Sequence, residues 1–323
     1  MIQTIDTSVY AAVQFAEEVR AGLCRAGQKT LPSKYLYDPL GSVLFDAITL
    51  LPEYGLTRAE ERLLRRYSRE IVNHVPSPAM VSELGSGNGR KTRWILSALS
   101  DREPLSYYPI EISRTALAAC ESELRDIKSV SIIGVEREYL DGLREVTALR
   151  PAGARLLVLF LGSTVGNFEP GADVRFLSEV RSFLRPGDSL LLGTDLLKPS
   201  GRMMAAYDDS LGVTAAFNIN LLARINRELD ADFDLRQFEH VAPFNEGAGC
   251  IEMHLRSMQR QVVHIRRCGY DVEFGAGETI WTESCRKYTP EAIDSLAAAC
   301  GFRTEAQWID GEWPFAESLW LVE

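Results

Sequence analysis

The sequence predicts an α/β protein, a doubly wound parallel sheet carrying an inserted α+β domain. Three observations lead there. Between residues 79 and 198 short apolar runs alternate with amphipathic helical ones over short connections, the signature of a sheet with helices on both faces. One run, ARLLVLFLGST, is so apolar that both faces of its strand must be covered, as in a parallel sheet. After Lys198-Pro199 the alternation gives way to a long helix-rich stretch and then to strand-like segments, which reads as a second subdomain placed inside the first.

Composition narrows the function classes. A chain of 323 residues with 46% hydrophobic and 25% charged side chains can bury a large core or two interlocked ones. Its net charge of -10 lacks the cationic surplus of a nucleic-acid binder, so a small-molecule substrate is expected. Six cysteines are scattered without a C-x-x-C pair or metal-finger spacing. They read as reduced thiols in a cytoplasmic protein without a metal. No basic residue precedes Arg20, the wrong polarity for a signal peptide, and the longest apolar run is too short for a membrane helix. No membrane partner is expected, and the chain reads as a monomer.

In order, residues 8–27 have helical periodicity, and 31–58 carry too many Pro, Gly and Tyr residues for one helix and read as a structured loop with short helices. Thr57 and Glu60 fit a capping box ahead of a helix over 58–74. AMVSELGSG is a strand entering a glycine turn, KTRWILSALS a helix, LSYYPIEIS a strand, RTALAACESELRDI a helix and VSIIGVERE a strand. ADVRFLSEVRSFLRPG is a helix stopped by Pro-Gly, and DSLLLGTDL the next strand. AAYDDSLGVTAAFNINLLARINREL is helix-rich; FEHVAPFN, CIEMHLRSMQRQVVHI and DVEFGAGETIWTESC read as strands. Thr289 and Pro290 start a last helix, followed by an antiparallel pair, FRTEAQWID and ESLWLVE. The sheet domain is thus expected over 57–198 plus 288–323 and a cap over 1–56 plus 199–287, with their ligands meeting between them.

The chemistry starts at Glu83-Leu84-Gly85-Ser86-Gly87-Asn88-Gly89, after an apolar strand and before a helix. Glycines there let a backbone approach a ligand, although such a turn alone is weak evidence. A nicotinamide enzyme would want a small residue where Arg90 stands, and there is no P-loop lysine pattern. S-adenosylmethionine needs no pyrophosphate cradle. It would take the glycine turn for its methionine part and an acidic residue at the end of the second strand, Glu111, for ribose hydroxyls. Glu138-Tyr139 after the third strand could face adenine. Asn167, in the turn Gly166-Asn167-Phe168-Glu169-Pro170 after the fourth strand, is placed for a substrate head group at the carboxyl edge of the sheet; it could equally be a turn-forming asparagine.

The stretches LPSKYLYDPLGSVLFDAITLLPEYGLTRAE, ELGSGNGRKTRWIL, YYPIEIS, FLGSTVGNFEP, LLGTDLLKP, AAYDDSLGVTAAFNINLLARINRELDADFD and ETIWTESCRKYT span nearly the whole chain. In this order they resemble the S-adenosylmethionine-dependent amino-acid N-methyltransferases related to the histidine-specific Nα-methyltransferase of ergothioneine biosynthesis. The resemblance implies a class I, Rossmann-like methyltransferase fold. It matches Tyr37, Gly85, Ser86, Gly87, Lys91, Glu111, Glu138 and Tyr139 to cofactor positions. It matches Asn167 and Tyr207 to the residues holding the substrate's α-carboxylate and amine, and Phe45, Tyr54 and Gly162 to the surrounding pocket. Met253 and Glu283, with Cys285, fall where the imidazole is gripped. Tyr37, Asn167 and Tyr207 are the implied catalytic set.

The implied reaction needs little from the protein beyond geometry. A methyl group leaves a sulfonium by in-line displacement, so the enzyme must align a neutral amine and exclude water. Asn167 and the hydroxyls of Tyr37, Tyr54 and Tyr207 can orient that amine; the group that takes its proton is not assigned. The sequence departs from the family in three places. Glu111 replaces Asp, Cys285 replaces the Ser of a Glu-Asn-Ser triplet (here Glu283-Ser284-Cys285), and Tyr54-Gly55-Leu56 replaces Tyr-Tyr-Pro. A thiol is a weaker donor than a hydroxyl, so tryptophan, tyrosine or a modified histidine stands as an alternative substrate. A non-catalytic cofactor-binding sensor and a nicotinamide oxidoreductase are the alternatives of another class.

Overall fold

Five runs between Met80 and Asp195 form parallel strands; three are buried along their whole length, and the runs at Leu105–Ile110 and Val130–Ile132 extend the sheet outward from the buried Met80–Leu84. The computed structural model describes residues 7–169 and 171–323. The chain divides into two units, one of residues up to Gly55 with Lys198–Cys285 and one of Leu56–Leu197 with Arg286–Glu323.

Elements of the second unit are numbered here in chain order. Its strands are β1 (Met80–Leu84), β2 (Leu105–Ile110), β3 (Val130–Ile132), β4 (Leu156–Phe160), β5 (Ser189–Asp195), β6 (Arg303–Ile309) and β7 (Phe315–Leu321). Its helices are α1 (Leu56–His74), α2 (Arg93–Ser100), α3 (Arg114–Leu124), α4 (Tyr139–Ala148), α5 (Ala172–Phe183) and α6 (Pro290–Ala299). The strand order is β6-β7-β5-β4-β1-β2-β3. β1 to β5 are parallel, while β7 runs antiparallel between β5 and β6. The doubly wound α/β reading and the terminal antiparallel pair are therefore present.

Alternation along the strands gives the sheet two different faces. Met80, Leu84, Val158, Phe160, Leu190, Leu192 and Trp320 enter one apolar core with residues of α4, α5 and α6. The opposite face carries Val81, Glu83, Leu159, Leu191, Gly193 and Glu317 in register, and α1 packs over the β6–β7 pair and against α2. Two glutamates thus sit fully buried on a face expected to be apolar. Their partners define the site described below.

The first unit holds a mixed sheet in which Cys250–Ser257 lies between Phe238–Val241 and Thr279–Arg286, with Lys29–Thr30 at the far edge. A separate hairpin pairs Gln261–Ile265 with Tyr270–Phe274. Three local expectations are corrected. The first helix runs Thr7–Leu23 and stops short of 27, because Gly22 comes so close to Thr30 that the chain must turn back to pair Lys29–Thr30. The 31–58 stretch contains a full helix, Pro39–Leu50, capped by Asp38, whose side chain accepts Gly41 N–H at 2.7 Å. The capping box at Thr57 does not form: α1 begins at Leu56, and the Glu60 carboxylate points into the interior. The helix-rich stretch after 198 is two helices, Ser200–Tyr207 and Val213–Leu229. Asp209 accepts the N–H groups of Val213 and Thr214 at the start of the second.

Asp38 does more than cap. It is 4% exposed and also accepts from Asn220 Nδ2 at 2.8 Å and Arg227 Nη2 at 2.6 Å. Burial pushes its carboxyl up, but these donors more than offset that and leave it below the usual range. Asp38→Ala removes a cap and orphans a buried amide, so we predict a loss of about 2 kcal/mol, read as a lower urea midpoint for this unit. An unchanged midpoint would show that the three contacts are dispensable.

Candidate active site

In an open parallel sheet, ligands bind beyond the carboxyl ends of strands where the order reverses. Here that point lies at β1, flanked by β2 and β4, so the loops opening at Gly85, Glu111 and Leu161 are brought together by topology alone. Gly85 N–H donates to Ile110 O at 2.9 Å, tying the first two loops. Gly85, Gly87 and Gly89 have φ of +77°, +52° and +74°, a region that L side chains avoid. A Cβ on Gly85 would also sit 2.9 Å from the Tyr139 hydroxyl, whereas one on Gly87 would meet open space. The loop is packed on one side and open on the other.

Glu111 follows β2 and is half-buried. Its Oε1 accepts N–H groups of Ile112 and Ser113 at 2.9 and 3.2 Å, while Oε2, among the described residues, meets Gly87 N–H alone, at 3.4 Å. One oxygen is fixed and the other keeps capacity for hydroxyl donors. Tyr139 opens α4 and packs edge-on against Phe160 and Phe176, its phenol pushed up mainly by burial. Glu138 is exposed. Ser86 is buried between the two glycines.

Beneath the turn lies the acidic row. Glu83 accepts Thr92 Oγ1–H, with Oγ1 at 2.7 and 2.9 Å from its two oxygens, and also the Tyr107 hydroxyl. Burial is the largest influence and pushes its carboxyl up to about 7. Lys91 bonds to Glu60, and Glu60 also accepts the N–H of Gly162. Burial pulls the Lys91 ammonium pKa down, but Glu60, Glu83 and Glu317 outweigh that and leave it raised. Gly162 and Ser163 both have left-handed backbones, φ +78° and +60°. Ser163 Oγ accepts Asp195 N–H at 2.8 Å, and the following single turn, Thr164–Asn167, carries Asn167.

The remaining expected residues belong to the first unit, where the structure gathers most of them. Tyr37 and Phe45 are 5.4 Å apart between ring centroids, Phe45 and Tyr54 6.3 Å, and Tyr54 and Tyr207 6.1 Å, all edge-on. The Tyr207 hydroxyl donates to Cys285 Sγ at 2.7 Å. Glu283 and Cys285, two residues apart on one strand, share a sheet face. Both are buried, as is Met253 on the neighbouring strand. Sequence reasoning missed Phe217, which packs edge-on against Tyr37 and tilted against Phe45, and His240, whose Nε2 lies 2.7 Å from Tyr207 O while Nδ1 meets Asn218. A lone His on a short strand carries no sequence signal. Glu60 was legible only as a cap. Among the described residues no group of His, Cys, Asp or Glu is arranged to hold a metal.

The strand order, the glycine turn and the Glu111 carboxylate define a class I methyltransferase that uses S-adenosylmethionine. The loop fits that cofactor: its backbone faces open space at Gly87, and Glu111 Oε2 keeps room for ribose hydroxyls. A model described as histidine-specific methyltransferase, SAM-dependent, matches residues 15–322, and the chain belongs to that family. It is 45% identical over 314 residues to a histidine N-alpha-methyltransferase of Mycolicibacterium smegmatis, covering 96% of this chain and 95% of the relative. Its identity to a histidine N-alpha-methyltransferase of Mycobacterium tuberculosis is 44%, covering 94% and 93%. It is 35% identical to ergothioneine biosynthesis protein 1 of Neurospora crassa over 88% of this chain and 32% of that longer protein.

Glu83 makes the pH dependence of folding testable. Its folded pKa of about 7 lies above the ordinary 4.5, so the folded state holds the proton more tightly. The resulting stability is full below about pH 4.5 and is lost as pH rises through about 7. Glu83→Gln, neutral throughout, is expected to flatten the stability profile between about pH 5 and 7 in urea titrations. A variant profile parallel to wild type would mean Glu83 is ionised in the fold.

Proposed function

We propose that the protein transfers methyl groups from S-adenosylmethionine to the α-amine of L-histidine, continuing to the trimethylated betaine, hercynine. The observation carrying this reading is Glu283, a buried carboxylate on the same strand face as Cys285, whose sulfur accepts the Tyr207 hydroxyl. The cofactor supplies an electrophilic methyl on a sulfonium centre. Gly85, Ser86 and Gly87 would shape its seat, Lys91 would supply a cation, and Glu111, Glu138 and Tyr139 would receive the nucleoside. Asn167 and Tyr207 would hold the substrate's carboxylate and amine, with Tyr37, Phe45, Tyr54 and Gly162 around them. Met253 and Glu283 would grip the imidazole. An amine lone pair must be aligned before it attacks, and the neutral tyrosine and asparagine side chains can do that without trapping the ammonium as a carboxylate would.

Glu283 supports histidine because a site that hydrogen-bonds an N–H discriminates against analogues lacking it. Cys285 favours the second reading, another aromatic amino acid or a modified histidine, since its thiol is the weaker donor. The anionic balance of the chain, -10, supports a small-molecule substrate without a nucleic-acid partner. Together with its scattered cysteines, we place the enzyme in the cytoplasm as a monomer, without a membrane partner.

Purified protein incubated with cofactor and an amino-acid panel should add one, two and three methyl increments to histidine in the mass spectrum. Methylation of tryptophan or tyrosine with histidine untouched would replace the substrate. Glu283→Ala should lower histidine kcat/KM by roughly a hundredfold or more. Cys285→Ser should raise it by about fivefold, the worth of one better hydrogen bond at about 1 kcal/mol. A loss in the serine variant would mean the thiol is tuned for a different side chain.

A further inference from the structure

We propose that Glu60 is a positioning residue that couples the cofactor seat to the Asn167 loop through Lys91 and the backbone of Gly162. The inference rests on the cofactor reading of Lys91 and goes beyond it, because that reading gives Glu60 no role toward either ligand. Its carboxylate is fully buried in the interior-facing side of α1, yet both oxygens are used. Oε2 meets the Lys91 ammonium, and Oε1 meets the N–H of Gly162. A buried charge is retained only where it is paired and hydrogen-bonded, and here the two partners lie on two different loops of the site.

The surroundings are shaped for this contact. Gly193 on β5 lies beneath it, and a Cβ there would be 2.7 Å from Glu60 Oε1 and 3.3 Å from Gly162 N. The missing side chain leaves the space in which the carboxylate reaches the loop. Opposite Gly193 in register is Glu317 on β7, also fully buried, with neither oxygen meeting an N–H or O–H donor among the described residues. Burial and then the adjacent Glu60 push the Glu317 carboxyl far up. Glu317 is therefore the protonated neighbour, and Lys91 answers Glu60. At the other end of the contact the loop is held away from relaxed geometry. Gly162 and Ser163 are left-handed in succession, free of strain for the glycine but, for Ser163, a conformation that persists only when its surroundings impose it. The Glu60 bond to Gly162 and the Asp195 bond to Ser163 are two of its anchors. If Lys91 shifts when its ammonium engages an anionic ligand group, Glu60 transmits the shift to the loop that carries Asn167.

The test is a binding cycle by calorimetry: S-adenosylhomocysteine with and without histidine, and histidine with and without S-adenosylhomocysteine. Equilibrium coupling must be equal in both directions. Wild type is expected to show each ligand tightening the other at least fivefold. Glu60→Gln keeps one acceptor oxygen and replaces the other with an NH2 donor, so it cannot serve both donors in the present geometry and should bring that factor close to one, with the far-ultraviolet dichroism unchanged. Where Glu60→Gln does not fold, Glu60→Asp, which keeps the charge but shortens the reach, should show the same loss. Wild-type coupling retained in the folded variant, or no coupling in wild type, overturns the proposal. If the protein binds S-adenosylhomocysteine but not histidine, the substrate reading has failed instead, and the cycle is run with the amino acid that the panel identifies.

Discussion

Everything at the cofactor end of this molecule depends on the reversal of strand order at β1. β2 is laid to one side of β1 and β4 to the other, so three loops distant in sequence, at Gly85, Glu111 and Leu161, emerge side by side. No side-chain contact is needed to bring them there. What side chains contribute is fine placement: Tyr139 under Gly85, Gly87 against Glu111, and Glu60 between Lys91 and Gly162. The glycines are the condition for that placement, because +77° and +52° are backbone angles that most residues would resist.

The same sheet accepts a cost on its other face. Glu83 and Glu317 project into a layer that alternation alone would fill with leucine or valine, and α1 adds Glu60. Three carboxyl groups with Lys91 as the ammonium among them cannot all ionise in so dry a place. The interior therefore stores protons, at Glu317 and in part at Glu83. Buried polar networks of this type are weak contributors to stability and strong constraints on geometry, which suits a place where two loops must be held in register.

Much of the sheet unit was legible because its signals are local. The β4 run had to be buried on both sides, and the Thr289-Pro290 start of α6 is a cap whose side chain does accept Ala292 N–H, at 3.2 Å. The glycine turn and Glu111 could be picked out by spacing along two strands. Other features were illegible for a physical reason. Thr57 and Glu60 satisfy the pattern of a capping box, yet tertiary contacts with Lys91 and Gly162 outcompete a bond to the helix's own backbone. Likewise α4 has no place in the sequence reading, and Phe217 and His240 gain meaning only from neighbours more than 20 positions away, Tyr37 and Tyr207. The substrate-side assignments came from resemblance to a family, since spacing alone cannot tell Met253 on a strand from ordinary core.

The placement of β7 has a further consequence for how the chain reaches this structure. β7, at residues 315–321, lies between β5 and β6, and β5 is separated from it by the whole Lys198–Cys285 insertion. Until the later segment arrives, β5 presents an open edge with the apolar run Leu190–Leu192 at its centre, the kind of strand that recruits stray partners. The pairing also has large sequence separation, which slows folding by the entropy of closing a long loop. The sheet is thus completed late, during a window in which aggregation competes with closure. Early formation of the insertion would shorten the effective loop and narrow that window.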